Sequence, residues 1–278
     1  MITKDFQYIS VMKAEDGVKE MKRFEPNNLQ AYYFAGGTEI ITFSRKGHLS
    51  VDSVIDIKNI EGISSIARQG DEVIIGAGAS LTKVAESNIF PLLTKTVQEI
   101  ADHTNQNKIT IGGNVCGQIH YREAVLPLLL ADSSCVLVGE GGYRRESIHN
   151  LFNGKLNLLE LDLLLHFELN HHYAQAPFYH SKITKMEKVD YPIITVAALK
   201  INEKIRIAFS GLCYFPFRSE KIEQILNTES QSISDKIRSV LKNIPFDILD
   251  DQLASSEYRK FVLSNELQNT ILHLKGEM

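Results

Sequence analysis

The sequence predicts an α+β protein of two domains, and three observations carry that reading. Short strand-like and helical stretches alternate through the first 170 residues. A polar stretch ending in proline, residues 171–177, then interrupts them. Beyond it, two apolar strand-like runs are followed by mostly helical chain. With 278 residues, 44% hydrophobic and 23% charged, the chain is long enough for two domains or one large one. A core of that size needs no disulfide or structural metal.

The elements follow from local pattern. Residues 14–23 have helical spacing, which Pro26-Asn27-Asn28 breaks, and residues 31–35 read as a strand. Gly36-Gly37 turns the chain and residues 38–43 begin a new element. Residues 54–57 and 73–76 are apolar, partly β-branched runs suited to buried strands. Ser80 stands at a helix start ahead of Leu81–Ser87, and a longer helix is predicted from about residue 92 to 102. Residues 108–112 read as a strand ending in a second Gly-Gly. Residues 122–131 read as a buried helix, 135–138 as a strand closed by Gly139-Glu140-Gly141-Gly142, and 161–169 as a further strand. Past the boundary, residues 193–201 and 204–214 look like paired strands joined at Asn202-Glu203. Glu220 onward is mostly helical, with gaps near residues 227–230 and 245–255. No internal repeat or low-complexity tract is visible.

Composition excludes several functions. A net charge of −4 argues against a nucleic-acid partner. Cys116, Cys135 and Cys213 are far apart and form no C-x-x-C, so a zinc ribbon or four-thiolate cluster is not expected on this chain. Their odd number reads as free thiols in a reducing compartment. The start, Met1-Ile2-Thr3-Lys4, shows no signal peptide, and the apolar runs at residues 125–130 and 158–165 are too short to span a bilayer. A cytoplasmic, non-membrane protein is expected. His171-His172 and His180 are expected in a solvated linker without a metal-ligand set. No Ser/His/Asp or Cys/His grouping points to nucleophilic catalysis.

Two segments share a form: Phe34-Ala35-Gly36-Gly37-Thr38-Glu39 and Thr110-Ile111-Gly112-Gly113-Asn114. Each sets two adjacent glycines after an apolar run and before a short polar side chain. Such pairs permit positive φ and leave no Cβ, so successive backbone N–H groups converge on an anion. A following helix adds its positive end, and Thr38 and Asn114 are expected to hydrogen-bond at the rim. A tight turn explains either segment alone, so pattern leaves both readings open. Gly76-Ala77-Gly78-Ala79-Ser80-Leu81 imitates a dinucleotide fingerprint but has Leu81 at its third glycine position; Ser80 is better read as an N-cap.

At these residues the chain resembles the FAD-binding subunits of molybdenum hydroxylases, the medium subunits of carbon monoxide, xanthine and nicotinate dehydrogenases. Their early A-G-G turn and later T-I-G-G-N turn stand here as Ala35-Gly36-Gly37-Thr38-Glu39 and Thr110-Ile111-Gly112-Gly113-Asn114. Val54-Ile55-Asp56-Ile57 and Ile75-Gly76-Ala77-Gly78-Ala79 match family strands in order. Leu126-Pro127-Leu128-Leu129-Leu130-Ala131-Asp132-Ser133 resembles the following apolar helix. Lys182, Asp190-Tyr191-Pro192 and Thr195-Val196-Ala197-Ala198-Leu199 resemble the opening of the family's C-terminal domain, and Asp250-Asp251 with Ser256-Glu257-Tyr258-Arg259 its close. The likeness spans nearly the whole chain.

The resemblance implies a two-lobed FAD-binding domain of the PCMH type over residues 1–172, with lobes of about 1–55 and 56–172. A small C-terminal domain like that of carbon monoxide dehydrogenase flavoproteins would follow over residues 173–278. It implies that Tyr33, Phe34, Ala35, Gly36, Gly37, Thr38, Glu39 and Ile40 wrap the FAD diphosphate from one lobe. Thr110, Ile111, Gly112, Gly113 and Asn114 would do so from the other, Ile100 and Leu164 would line the flavin, and Lys182 would lie near the isoalloxazine, favouring its reduced anion. Where the family has a small-residue stretch ending in Asp, a flavin contact, this chain has Gly117-Gln118-Ile119-His120-Tyr121-Arg122-Glu123. Glu123 is the nearest acid, one residue further from Pro127 than expected. The cysteine-rich insertion that gives some relatives a 4Fe-4S cluster is missing.

The implied partners are a molybdopterin-binding large subunit, a 2Fe-2S small subunit, and NAD or another electron acceptor, in a complex most like xanthine dehydrogenase. The rival readings are a stand-alone FAD oxidoreductase of the same superfamily and a flavin-free structural subunit.

Overall fold

Three sheets, each with its own helices, are laid out in chain order in the computed structural model, which describes every residue except Met1, Thr3, Asn28, Lys188, Glu277 and Met278. Asn28 of the predicted break, and Met1 and Thr3 of the chain start, therefore lie outside the described residues.

The first lobe is β1 (Gln7–Ser10), α1 (Ala14–Phe24), β2 (Ala31–Phe34), α2 (Thr38–Arg45) and β3 (Ser53–Asp56). Its strands are parallel in the order β1-β3-β2. α1 starts with Glu15 and Asp16 and ends with Lys22 and Arg23, matching the helix dipole. Its buried face, Ala14, Gly17, Val18 and Phe24, lies toward the next sheet. There Val18 and Ile55 share one core with Val138, Leu161, Leu163 and Leu165.

The second lobe runs β4 (Ile66–Gln69), β5 (Glu72–Gly76), α3 (Leu81–Ser87), α4 (Pro91–Gln98), α5 (His103–Gln106), α6 (Ile111–Cys116), α7 (Val125–Leu130), β6 (Ser134–Gly139), β7 (Gly142–Ser147), α8 (Ile148–Leu151) and β8 (Leu163–Asn170). Its five strands are antiparallel in the order β4-β5-β8-β6-β7. Two expectations need correction here. The predicted helix to residue 102 stops at Gln98, and Ala101 takes a left-handed φ of 56°. The predicted strand at residues 108–112 is a single bridge, Thr110 to Ser80, followed at once by α6.

The C-terminal part consists of α9 (His171–Ala174), β9 (Phe178–Thr184), β10 (Pro192–Ile201), β11 (Lys204–Ser210), β12 (Phe217–Arg218), α10 (Glu220–Leu226), α11 (Ile233–Leu241) and α12 (Ser256–Lys275). Asn202 and Glu203, with φ of 49° and 62°, make the predicted hairpin turn. The sheet is buried on both faces. Ala197, Leu199 and Ile201 pack on the second lobe, while Ile194, Val196 and Ala198 pack under α10–α12. Two-sided burial explains why Ile193-Ile194-Thr195-Val196-Ala197-Ala198-Leu199 reads as a run rather than an alternation. Among the described residues no helix is long and apolar enough to cross a membrane.

Candidate functional site

The two glycine segments meet at the seam between the lobes. β2 delivers Tyr33 and Phe34 alongside β3, and the Phe34 carbonyl accepts the Ile57 N–H at 3.1 Å. The turn that follows is so close to the second segment that a Cβ on Gly36 would overlap the Lys108 carbonyl. Gly37 has φ 68° and is the N-cap of α2, and the Phe34 ring fills the place a Cβ would take. No side chain caps α2, so the amides of its first turn, Thr38, Glu39 and Ile40, point out of an uncapped positive helix end.

The second segment is built differently. Thr110, not a strand, precedes its glycines, and the Thr110 hydroxyl accepts the Gly113 N–H at 3.1 Å. Gly112 lies on Ala77: its N–H donates to the Ala77 carbonyl at 2.8 Å, and a Cβ would come within 2.7 Å of the Ala77 Cβ. A Cβ on Gly113 would meet only Thr110 Oγ1, at 2.8 Å, leaving that face of the backbone open. The Gly76–Ser80 decoy is thus the shelf on which this turn rests, and Ser80 caps Lys83 N–H at 3.2 Å as predicted.

Side chains then tie the lobes together. Glu39 accepts the Gln118 N–H at 2.8 Å, joining the start of α2 to the end of α6. The Arg122 guanidinium is buried beneath this contact, donating to the Gly117 carbonyl at 3.1 Å and to the Gly154 carbonyl. Tyr33 donates its hydroxyl to the Leu161 carbonyl at 3.0 Å; burial, with Asp162 nearby, pushes its phenol well above the ordinary range. Ala35 packs against the first-lobe core, and Ile100 and Leu164 are buried in the second. Asn114 departs from its expected place at the rim: its Oδ1 turns inward and accepts the Ala124 N–H at 3.3 Å.

That inward contact leads to Glu123, whose carboxylate forms a 3.1 Å ion pair with Lys182, both side chains 4% exposed. Burial pushes the Glu123 carboxyl up, against the pull of Lys182 in the other direction. Lys182 Nζ also donates to the Glu99 carbonyl at 2.6 Å, beside Ile100. Tyr121 stacks on Tyr191 at 4.8 Å nearby.

The histidine expectation is half overturned. His172 is exposed, but His180 lies inside β9, its side chain 1% exposed, and burial lowers its pKa to about 4. Residues 178–184 were not anticipated as a strand. Their register puts His180 and Lys182 on one face, two residues apart. Glu99 and His180 join this region unpredicted by the sequence; the spacing of His180 and Lys182, two residues apart on one strand, is the signal that points to the latter.

Comparisons with known proteins fit this geometry. The profile of the family described as the FAD binding domain in molybdopterin dehydrogenase matches residues 4–169, more than half of the chain. The nicotinate dehydrogenase FAD-subunit of Eubacterium barkeri is 24% identical over 171 residues, 58% of this chain and 57% of that protein. The carbon monoxide dehydrogenase medium chain of Hydrogenophaga pseudoflava is 27% identical over 135 residues, 47% of each. These matches span about half the length of each relative. The fold as a whole is shared with carbon monoxide dehydrogenase from Hydrogenophaga pseudoflava, at a TM-score of 0.86 and 20% identity, covering 100% of this chain and 99% of that one. It is shared equally with quinoline 2-oxidoreductase from Pseudomonas putida 86, at 0.85 and 17%, covering 100% of both chains. With its two glycine segments joined at the lobe seam, the chain belongs to the family of FAD-binding domains of molybdopterin dehydrogenases.

Proposed function

We propose that this chain is the flavin subunit of a molybdenum hydroxylase complex, most like xanthine dehydrogenase. In this reading a molybdopterin-binding large subunit oxidises the substrate and 2Fe-2S clusters on a small subunit relay the electrons. They pass through FAD here to NAD or another acceptor. The observation that carries it is the contact of Gly36 with the segment entering α6, which sets the uncapped start of α2 beside the open backbone of Gly113. Bare N–H groups at a helix start, facing a second turn stripped of Cβ, suit a diphosphate in both charge and room.

Bound FAD supplies reversible uptake of electrons, and the protein supplies orientation, electrostatics and shielding. Gly36, Gly37, Thr38, Glu39 and Ile40 hold the diphosphate from the first lobe, over a floor of Tyr33, Phe34 and Ala35. The backbone of Thr110, Ile111, Gly112, Gly113 and Asn114 faces it from the second, with the Asn114 side chain turned inward and the Thr110 hydroxyl engaged as a cap. Ile100 and Leu164 give the ring an apolar wall that excludes water. Lys182 presents a cation there, and Glu123 acts through it, as the counter-ion that fixes the ammonium.

The test is spectroscopic. The chain purified with excess FAD and then desalted is expected to keep stoichiometric flavin absorbance. Gly37→Val, which puts a β-branched residue at φ 68°, is expected to abolish that retention. A chain that stays colourless favours the flavin-free structural subunit. A yellow chain that oxidises a small substrate unaided favours the stand-alone enzyme.

A further inference from the structure

We propose that Glu123 takes up a proton from solvent when electrons reach the flavin site and releases it when they leave, so that this chain couples electron transfer to a proton of its own. The proposal rests on the flavin reading and goes beyond the part of fixed counter-ion that Glu123 has there.

Glu123 and Lys182 are sealed between the second lobe and β9, 3.1 Å apart and each 4% exposed. They are unequally supported. Lys182 Nζ donates a 2.6 Å hydrogen bond to the Glu99 carbonyl, while no hydrogen bond of good geometry reaches Glu123 Oε1. A buried carboxylate is kept ionised by several donors or by a cation, and here the cation acts alone. Burial therefore pushes the Glu123 carboxyl up even with Lys182 beside it. Electrons arriving near Lys182 bring negative charge into the same water-poor region, where like charges repel strongly. Each pair of electrons then favours about one proton on Glu123, which cancels one unit of that charge. The electrons come from the iron–sulfur donor and go to the acceptor of the flavin reading. The proton comes from solvent, converts the carboxylate to the neutral acid, and returns to solvent on reoxidation.

The neighbouring groups are less suited to take that proton. From the end of α4, the Glu99 carboxylate already has Lys95 at 2.7 Å. From β9, His180 has its pKa lowered to about 4 by burial, so it is neutral and far from protonation at pH 7. From the chain before α7, Arg122 donates to the Gly117 and Gly154 carbonyls and has no acceptor to offer. Tyr121 and Tyr191 stack on each other, and burial raises both phenols, which already carry their protons. Glu39, on the first lobe, accepts the Gln118 N–H at 2.8 Å. Asp251 and Arg259, the charges nearest Tyr121 from the C-terminal side, pair with each other at 2.7 Å. Glu123 is the acid held by one contact only.

The test counts protons. The full chain, loaded with FAD and desalted, is reduced electrochemically at pH 7 in weak buffer containing an indicator dye. Glu123→Gln, which keeps the shape of the side chain, is expected to take up about one proton fewer per two electrons than the unaltered chain. The flavin potential should lose the matching part of its pH slope. His180→Gln is expected to leave the uptake unchanged. The flavin-free chain gives an independent readout. Lys182→Met, which removes the cation, is expected to show the infrared carbonyl stretch of a protonated carboxyl at pH 7, and adding Glu123→Gln to it should abolish that band. The proposal is overturned if Glu123→Gln takes up as many protons as the unaltered chain, or if Lys182→Met shows no such band. Uptake lost in His180→Gln instead also overturns it. A chain that holds no flavin sinks the flavin reading and this proposal together, whereas equal uptake in a yellow chain sinks this proposal alone.

Discussion

The second lobe shares an apolar core with each of its two neighbours, but its polar contacts with them differ in kind. Toward the first lobe the tightest contact is backbone on backbone, with Gly36 against the Lys108 carbonyl. Toward the C-terminal sheet the polar contact is ionic. Asp132, in a left-handed φ of 48°, takes Arg206 at 2.5 Å, Arg218 at 2.7 Å and His149 at 2.9 Å. The same arginines donate to the Leu130 and Leu129 carbonyls, both at 2.9 Å, and so cap the wholly buried α7. Burial alone would raise the Asp132 carboxyl, but the hydrogen bonds from His149, Arg206 and Arg218 outweigh it and hold it well below the usual range. Glu123–Lys182 and His180 lie in this second contact as well. One seam is therefore limited by the absence of side chains and the other by their charge. The first should be sensitive to a single methyl group and the second to pH.

The largest effect is expected on the first seam. Gly36→Ala drives a Cβ into a backbone carbonyl that has no rotamer to escape by. It should cost about 4 kcal/mol in urea unfolding, at the upper end for single substitutions. A loss below ~1 kcal/mol would mean that the lobes separate easily, and the contrast would fail.

The second seam should respond to acid. His180 has its pKa lowered to about 4 by burial, against an unfolded value near ~6.5. The unfolded chain thus takes up the proton first, so the contribution is complete above about pH 6.5 and is lost as pH falls toward 4. Between pH 7 and 5 the loss should be about 2 kcal/mol. His180→Gln should flatten that part of the stability profile; an unchanged slope would remove His180 as its source.

The smallest stability effect belongs to Gly113→Ala. A Cβ there meets only the Thr110 hydroxyl, and the position has no positive φ. Unfolding should change by less than ~1 kcal/mol, while FAD retention falls because the methyl group occupies the proposed diphosphate face. If unfolding shifts as much as for Gly36→Ala, the two turns are equivalent after all.

Much of this was legible in the sequence because it is local. Residues 14–23, Ser80 with Leu81–Ser87, and the Asn202-Glu203 hairpin follow from periodicity, capping and turn chemistry. The glycine pairs were visible too, but not their difference. Ile109-Thr110-Ile111 is as β-branched as a strand, and only the Thr110 cap on Gly113 turns it into a helix start. Likewise His180 sits three residues past a polar, proline-ended stretch and read as solvated. It is buried because β9 joins the edge of a sheet whose partner strand comes later in the chain.

The sequence by itself determined the family, the succession of elements and the two segments without side chains at their tips, since each depends on neighbours within a few residues. Only the tertiary structure decided that Gly36 touches Lys108, that Glu123 pairs with Lys182 across 59 residues of chain, and that His180 is enclosed without partners. The physical reason is that burial and charge pairing are properties of what surrounds a residue. Here those surroundings are assembled from strands and helices distant in sequence.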